Sequence, residues 1–303
     1  MYMKKYVLIA VLILIVALFF IFIPPNIRPS LSQQNLEGKK VVVVTTGILA
    51  DVVYNIAGDR VIIKQLMTGG DIHDWEPSAK DIAEASKASI VIYLSRNVEK
   101  WIDKFETAIP DNVELIEAAE NVEFLTMDGI VDPHIWFDIR NMIKVTERVC
   151  GALIKNDPDN AKYYSENAER FKGKLNELHE RYLSELSKFK GRIIITRHDA
   201  YRYLGNTYGL VTIAILGVYE EEISPTKMQY LIELIKKEDI KVIFSEYEKT
   251  EDFINNFAAE HGLKIIKLYS LENISLEDVV KNEGYIFRMS KNLDALVGGL
   301  SLE

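Results

Sequence analysis

Cysteine is nearly absent: Cys150 is the only one in 303 residues. This excludes an internal disulfide and any Cys-x-x-Cys metal or redox motif. Within the helix-like run "NMIKVTERVCGALI" the thiol is expected to be a buried core group. Basic residues are outnumbered, and the formal charge of -9 argues against a nucleic-acid partner, because such proteins use a basic surface to displace phosphate counterions. Cations suit the chain better. It has no GxxxxGK[ST] loop to cradle nucleotide phosphates and no HExxH or nucleophile motif to support hydrolysis. Low-complexity tracts are missing too, and 48% of the residues are hydrophobic, so a folded chain of about two domains is expected at roughly 100–200 residues each.

Charge is missing from Tyr6 to Ile23 in "MYMKKYVLIAVLILIVALFFIFIPP", a run preceded by Lys4 and Lys5 and closed by Pro24 and Pro25. It is at the short end of a membrane span and longer than the usual signal-peptide core of about 7–15 residues. No small-x-small cleavage site follows, and no nearby cysteine could carry a lipid. Residues 1–25 are therefore expected to be an uncleaved membrane anchor, with the lysine end cytoplasmic and the rest outside. A cleaved signal and a secreted form are the alternative. Residues 26–38 are polar and read as a tether.

From Lys39 the pattern is α/β. "KKVVVVTT" is a continuous β-branched run that suits a strand buried on both faces of a parallel sheet. "ILADVVYNIAG" as helix, "RVIIKQLM" as strand, "SAKDIAEASKA" as helix and "SIVIYLS" as strand continue the alternation, followed by "NVEKWIDKFETAI" and "NVELIE". A long helix begins at Asp157 as N-cap with Pro158 at the first helical position and ends before Gly191. Tyr164, Ala168, Phe171, Leu175, Leu178, Tyr182, Leu186 and Phe189 form its apolar stripe. At roughly 1.5 Å per residue it is on the order of 45 Å long, enough to span two domains. The alternation then restarts with "RIIIT", "AYRYLGNTYG", "VTIAIL", "KMQYLIELIKKED", "KVIFSE", "TEDFINNFAAEHG" and "KIIKLYS", and a helix within "EGYIFRMSKNLDALVGGL" closes the chain. The expected organisation is an α/β lobe over 39–156, a connecting helix over 157–190 and a second α/β lobe over 191–303.

The five histidines divide by context. His179, in the charged string "ELHER", reads as a solvated helix-face residue. His261 precedes Gly262 at a helix end, where an imidazole meets the C-terminal dipole favourably. His73, His134 and His198 each follow a strand or loop and precede a helix start, the place where ligands bind in open α/β sheets. Each alone reads first as a hydrogen-bonded loop residue; together they point to a metal site, since neutral imidazole is a common ligand for zinc and similar ions. Asp71, Asp74, Asp132, Asp138 and Asp199 are candidates to hold the second ring nitrogen of such a ligand, though each could equally cap a turn. Trp75 and Trp136 are candidate apolar walls, with core packing their default role. Ser78 with Asp81 resembles a capping pair.

These segments resemble the metal-binding receptors of ABC importers for zinc and manganese. The resemblance runs from about Lys39 to Leu300 and is carried by "GGDIHDWEPSAKDI", "DPHIWFD", "RHDAYRYLG", the helix from Pro158 and "EGYIFRMSKNLDAL". It implies two α/β domains joined by one rigid helix, a metal in the interdomain cleft, and delivery to a membrane permease with a separate ATPase. A monomeric receptor is expected. His73, His134 and His198 fall on the family's histidine-ligand positions. Where the family often has an aspartate in a "YSD"-like context, this chain reads "KLYSLEN" with Leu271 at that place; Glu272 is the candidate fourth ligand, with water or Glu246 as alternatives. Three histidines favour Zn2+ over Mn2+ as the transported ion, because manganese prefers oxygen ligands. No long His- and Asp-rich loop, frequent in zinc members, stands between Met127 and Asp132. A three-histidine zinc hydrolase is the competing reading, with Glu76 as base, although its place before Pro77 at a helix entrance suits a structural role. A surface adhesin is a third.

Overall fold

A computed structural model describes residues 38–69, 72, 74–127, 129–247 and 252–302. The hydrophobic run proposed as an anchor, and His73 itself, lie outside the described residues. The chain divides into Met1–Lys39 and a compact unit, Lys40–Glu303, which carries every strand found among the described residues.

The first sheet of that unit has the order β2-β1-β3-β4, formed by β1 (Val41–Val44), β2 (Ile62–Gln65), β3 (Ile90–Tyr93) and β4 (Glu114–Glu117), all pairs parallel. Helices α1 (Gly47–Ala57), α2 (Ala79–Ala85) and α3 (Ile102–Ala108) connect them. The four valines of β1 explain the strand. Val42 and Val44 join a core shared with α1, while Val43, facing the other way, packs with Ala85 and Phe105 of α2 and α3. Successive side chains of a strand point to opposite faces, so a strand covered on both sides is apolar throughout. Each fully buried valine contributes about 1.5–3 kcal/mol. The Ser78–Asp81 pair forms the expected capping box at α2.

A hairpin of β5 (Thr126–Met127) and β6 (Ile130–Val131) comes next, then α4 (Ile139–Asn156). The long helix opens with a 3-10 turn at Pro158–Asn160 and runs as α5 (Ala161–Leu186). Every residue of its apolar stripe is buried. Asp157 stabilises the start through its side chain, accepting from Asn160 Nδ2 at 2.8 Å and Tyr164 Oη at 2.5 Å. The helix touches both halves: Asn167 Nδ2 donates to Ile56 O in α1, and Tyr182 Oη to Met289 O near the C-terminus.

The second sheet has the order β10-β9-β7-β8, again all parallel. It contains β7 (Ile193–His198), α6 (Arg202–Tyr208), β8 (Val211–Leu216), α7 (Pro225–Lys237), β9 (Val242–Glu246), α8 (Asp252–His261) and β10 (Lys264–Leu268), with α9 (Leu276–Val280) and α10 (Tyr285–Leu300) completing the chain. Ile194, Val242 and Phe244 face the core shared with α5 and the first sheet; Ile195 and Ile243 face α7 and α8. One apolar core therefore runs beneath both sheets. Among the described residues no helix is long and apolar enough to cross a membrane.

Gly47 marks the tightest join. A Cβ there would lie 1.7 Å from Ile274 O, closer than any side chain tolerates. Gly47→Ala should destabilise the fold by at least about 2 kcal/mol through overpacking, read as a lower urea midpoint at unchanged slope.

Candidate metal site

In both sheets the strand order reverses direction beside the first strand, so the carboxyl ends of β7 and β9 flank the crevice where open α/β sheets bind ligands. His198 is the last residue of β7 and Glu246 the last of β9. His198 Nδ1 lies 2.8 Å from Glu246 Oε1. Arg197 stands 3.7 Å from the other oxygen of Glu246 and pairs with Glu220 at 2.8 Å. Burial disfavours the charged imidazole, but the Glu246 carboxylate outweighs it and the pKa of His198 is pushed up to about 9. Burial likewise opposes ionisation of Glu246, and the His198 and Arg197 charges overcome it and hold the carboxyl below its ordinary value.

His134 follows the hairpin and is fully buried. Asp132 fixes it twice, accepting from the His134 backbone N–H at 3.0 Å and facing Nδ1 at 2.8 Å. Trp136 covers it, with ring centroids 5.3 Å apart. The His134 and His198 rings lie 5.3 Å apart, and Glu272 Oε1 is 3.8 Å from His134 Nε2. Ligand atoms of His134, His198 and Glu272 all fall within 4.8 Å of one another, and all three residues are buried. With Nδ1 of each ring engaged by a carboxylate, Nε2 is the nitrogen each would offer a cation, and that second contact sets the tautomer and raises ligand basicity.

The loop reading "YSLEN" resolves at Leu271. Its φ is 72°, a left-handed conformation unusual for a branched side chain, and its side chain is fully buried in the core. The turn gives the hydrophobic residue to the interior and brings the next one, Glu272, to the histidines.

Other expectations divide. Asp132 holds His134 as anticipated, but His198 is held by Glu246 and not by its neighbour Asp199, whose carboxylate accepts from Arg202 Nε at 2.9 Å. Asp138 caps α4, accepting from Arg140 N at 2.9 Å. Asp74 is exposed and Asp71 lies outside the described residues. Trp75 packs edge-on to Trp101, in the core of the first sheet. His179 is half-buried and not solvated: Nδ1 meets Tyr208 Oη at 3.0 Å, and burial lowers its pKa. His261 ends α8 against Phe257. Cys150 is buried, as its helical context suggested. Arg197 and Glu220 went unnoticed in the sequence, which carries no local signal for a pair separated by 23 residues.

The family described as "Zinc-uptake complex component A periplasmic" matches residues 42–299. A manganese-binding lipoprotein, MntA of Halalkalibacterium halodurans, is 30% identical over 277 residues, 89% of this chain and 91% of its own length. The high-affinity zinc uptake system protein ZnuA of Bacillus subtilis is 30% identical over 283 residues, 87% of this chain and 89% of its own. Among solved structures, the Zn(II)-bound ZnuA-like domain of Streptococcus pneumoniae AdcA superposes with a TM-score of 0.75 at 31% identity, covering 87% of this chain and 99% of that one.

Proposed function

Because the chain belongs to the family of the zinc-uptake component A, whose members are substrate-binding proteins of ABC importers and not enzymes, we propose that it captures zinc outside the cytoplasm. The ion is held between the two sheets and handed to a membrane permease driven by a separate ATPase. The observation that carries this reading is the buried convergence of His134, His198 and Glu272, with each imidazole oriented by its own carboxylate. His73, placed by sequence on the family's first ligand position, completes the set. Three imidazoles and one carboxylate match the tetrahedral N/O coordination of zinc better than the oxygen-rich sites of manganese. Manganese is the second reading, favoured by the resemblance to MntA. The run from Tyr6 to Ile23 anchors the receptor near its permease, and the globular part acts as a monomer. Glu76, the base of the competing hydrolase reading, is exposed at the entrance to α2.

Thermal unfolding of the detergent-solubilised full chain tests this. Zinc at a thousandfold above its dissociation constant should stabilise by about 4 kcal/mol, on the order of 10 °C, with a smaller gain from manganese. A larger gain from manganese would reassign the cargo, and no gain from either would end the receptor reading.

A further inference from the structure

The loop carrying Glu272 follows β10 and so belongs by sequence to the second sheet. Its contacts change side within one residue. Tyr269 is held by α10: its N–H donates to Asn292 Oδ1 at 2.7 Å and its carbonyl accepts from Asn292 Nδ2 at 2.9 Å. Ser270 O accepts instead from Trp136 Nε1 at 3.0 Å, and Ile274 O accepts from Gln65 Nε2 at 2.9 Å. These two hydrogen bonds bracket Glu272, two residues before it and two after, and both donors precede the long helix. The same carbonyl of Ile274 rests against Gly47 of α1. Further along, Tyr285 N donates to Asp51 Oδ2 of α1 at 2.8 Å, and Gly284 approaches that carboxylate so closely that a Cβ would lie 2.5 Å from Oδ1.

We infer that Gln65 and Trp136 are positioning residues for Glu272, and that residues 270–274 are mechanically part of the first half of the molecule. This rests on the receptor reading above. The consequence is an uneven site. Glu272 stays with His134 when the halves separate, so opening withdraws His198 alone and leaves the ion on the first half. A turn whose backbone carbonyls are gripped by a side chain on each side of a ligand has little freedom to carry that ligand elsewhere, which is how supporting contacts tune metal affinity by about 10- to 100-fold.

Zinc dissociation from the full chain in detergent, followed by stopped flow against a chelator, tests the assignment through a double-mutant cycle. Gln65→Met removes the amide that holds Ile274 O, and Trp136→Phe removes the indole donor while keeping a ring. Each should speed release about tenfold in the wild type and in His198→Ala, but less than about twofold in Glu272→Gln, where the ligand they position is gone. Cobalt(II) absorption of Gln65→Met should shift in the same direction as that of Glu272→Gln. Full tenfold effects in the Glu272→Gln background, or unchanged release in Gln65→Met, would overturn the inference. If Trp136→Phe fails to fold, Gln65→Met completes the cycle alone. If Glu272→Gln leaves release unchanged, the inference falls while zinc binding keeps the receptor reading; a wild type that binds no zinc removes both.

Discussion

Alanine at His134, His198 or His73 should remove most of the zinc-induced stabilisation, and alanine at His179 or His261 should leave it intact. Binding free energies of about 10–16 kcal/mol for four-ligand zinc sites give on the order of 3 kcal/mol per ligand, more than a hundredfold in affinity. At a zinc concentration that is a thousandfold excess for the wild type, a hundredfold loss lowers the stabilisation from about 4.1 to about 1.4 kcal/mol. The separation is large because the two groups do different work. His134 and His198 are buried rings turned by Asp132 and Glu246 toward a common point. His179 packs on Tyr208 and His261 on Phe257, so their loss affects local packing and not the ion. Isothermal titration of the five variants checks this; equal losses at all five would sink the division.

Much of the fold was legible because it is written in short-range pattern. Four valines announce a two-sided strand, and the stripe from Tyr164 to Leu186 fixes the face that α5 buries. Elements too short for periodicity escaped. The hairpin of β5 and β6 has two residues per strand, and only the Asp128-Gly129 turn signal could have revealed it. Helix α9 is five residues long, yet "SLED" carries a capping box at Ser275 and Asp278.

The convergence of His134 and His198 was legible to the same depth. His198 could be chosen because parallel sheets gather strand ends, whereas His134 follows an antiparallel hairpin and was marked by its place before a helix start. Asp132, two residues before His134, could be named as a candidate partner; the partner of His198 could not, because it depends on which strands are neighbours. Asp199 is adjacent to His198 in sequence, but successive side chains of an extended chain diverge; Glu246 ends the neighbouring strand β9, and β7–β9 pairing is a long-range fact. Glu272 took the place expected of residue 271 through one left-handed residue, a conformation that leucine gives no reason to anticipate.

Zinc affinity should rise about tenfold per pH unit between pH 6.5 and 8.5, because the ion must displace a proton from His198. In the metal-free protein burial opposes that proton, and Glu246 more than compensates, setting the pKa at about 9 against about 6.5 unfolded. A raised histidine pKa stabilises the fold fully below pH 6.5, and the contribution is lost as pH rises through 9. Metal-free stability should therefore fall by up to about 1.4 kcal/mol per pH unit from pH 7 to 8.5. Two buried carboxylates also hold protons, Asp51 to about pH 6 and Glu99 to about pH 7, both through burial. Their effect has the same sign; that of Asp51 ends below this window, and that of Glu99 fades by about pH 8. With zinc bound, folded and unfolded His198 are both deprotonated there, so the zinc-saturated protein should lose the His198 slope and show a flat profile above about pH 8, where Glu99 has finished titrating. Glu246→Gln removes the charge that holds the proton, leaving burial to favour neutral imidazole. Its metal-free stability should keep only the Glu99 slope up to about pH 8 and be flat from there to 8.5, and its zinc affinity should lose most of its pH dependence while falling about 10- to 100-fold at pH 8.5 through the lost support. Urea denaturation with and without zinc measures each slope; a Glu246→Gln profile that falls as steeply as the wild type would place the titrating proton elsewhere.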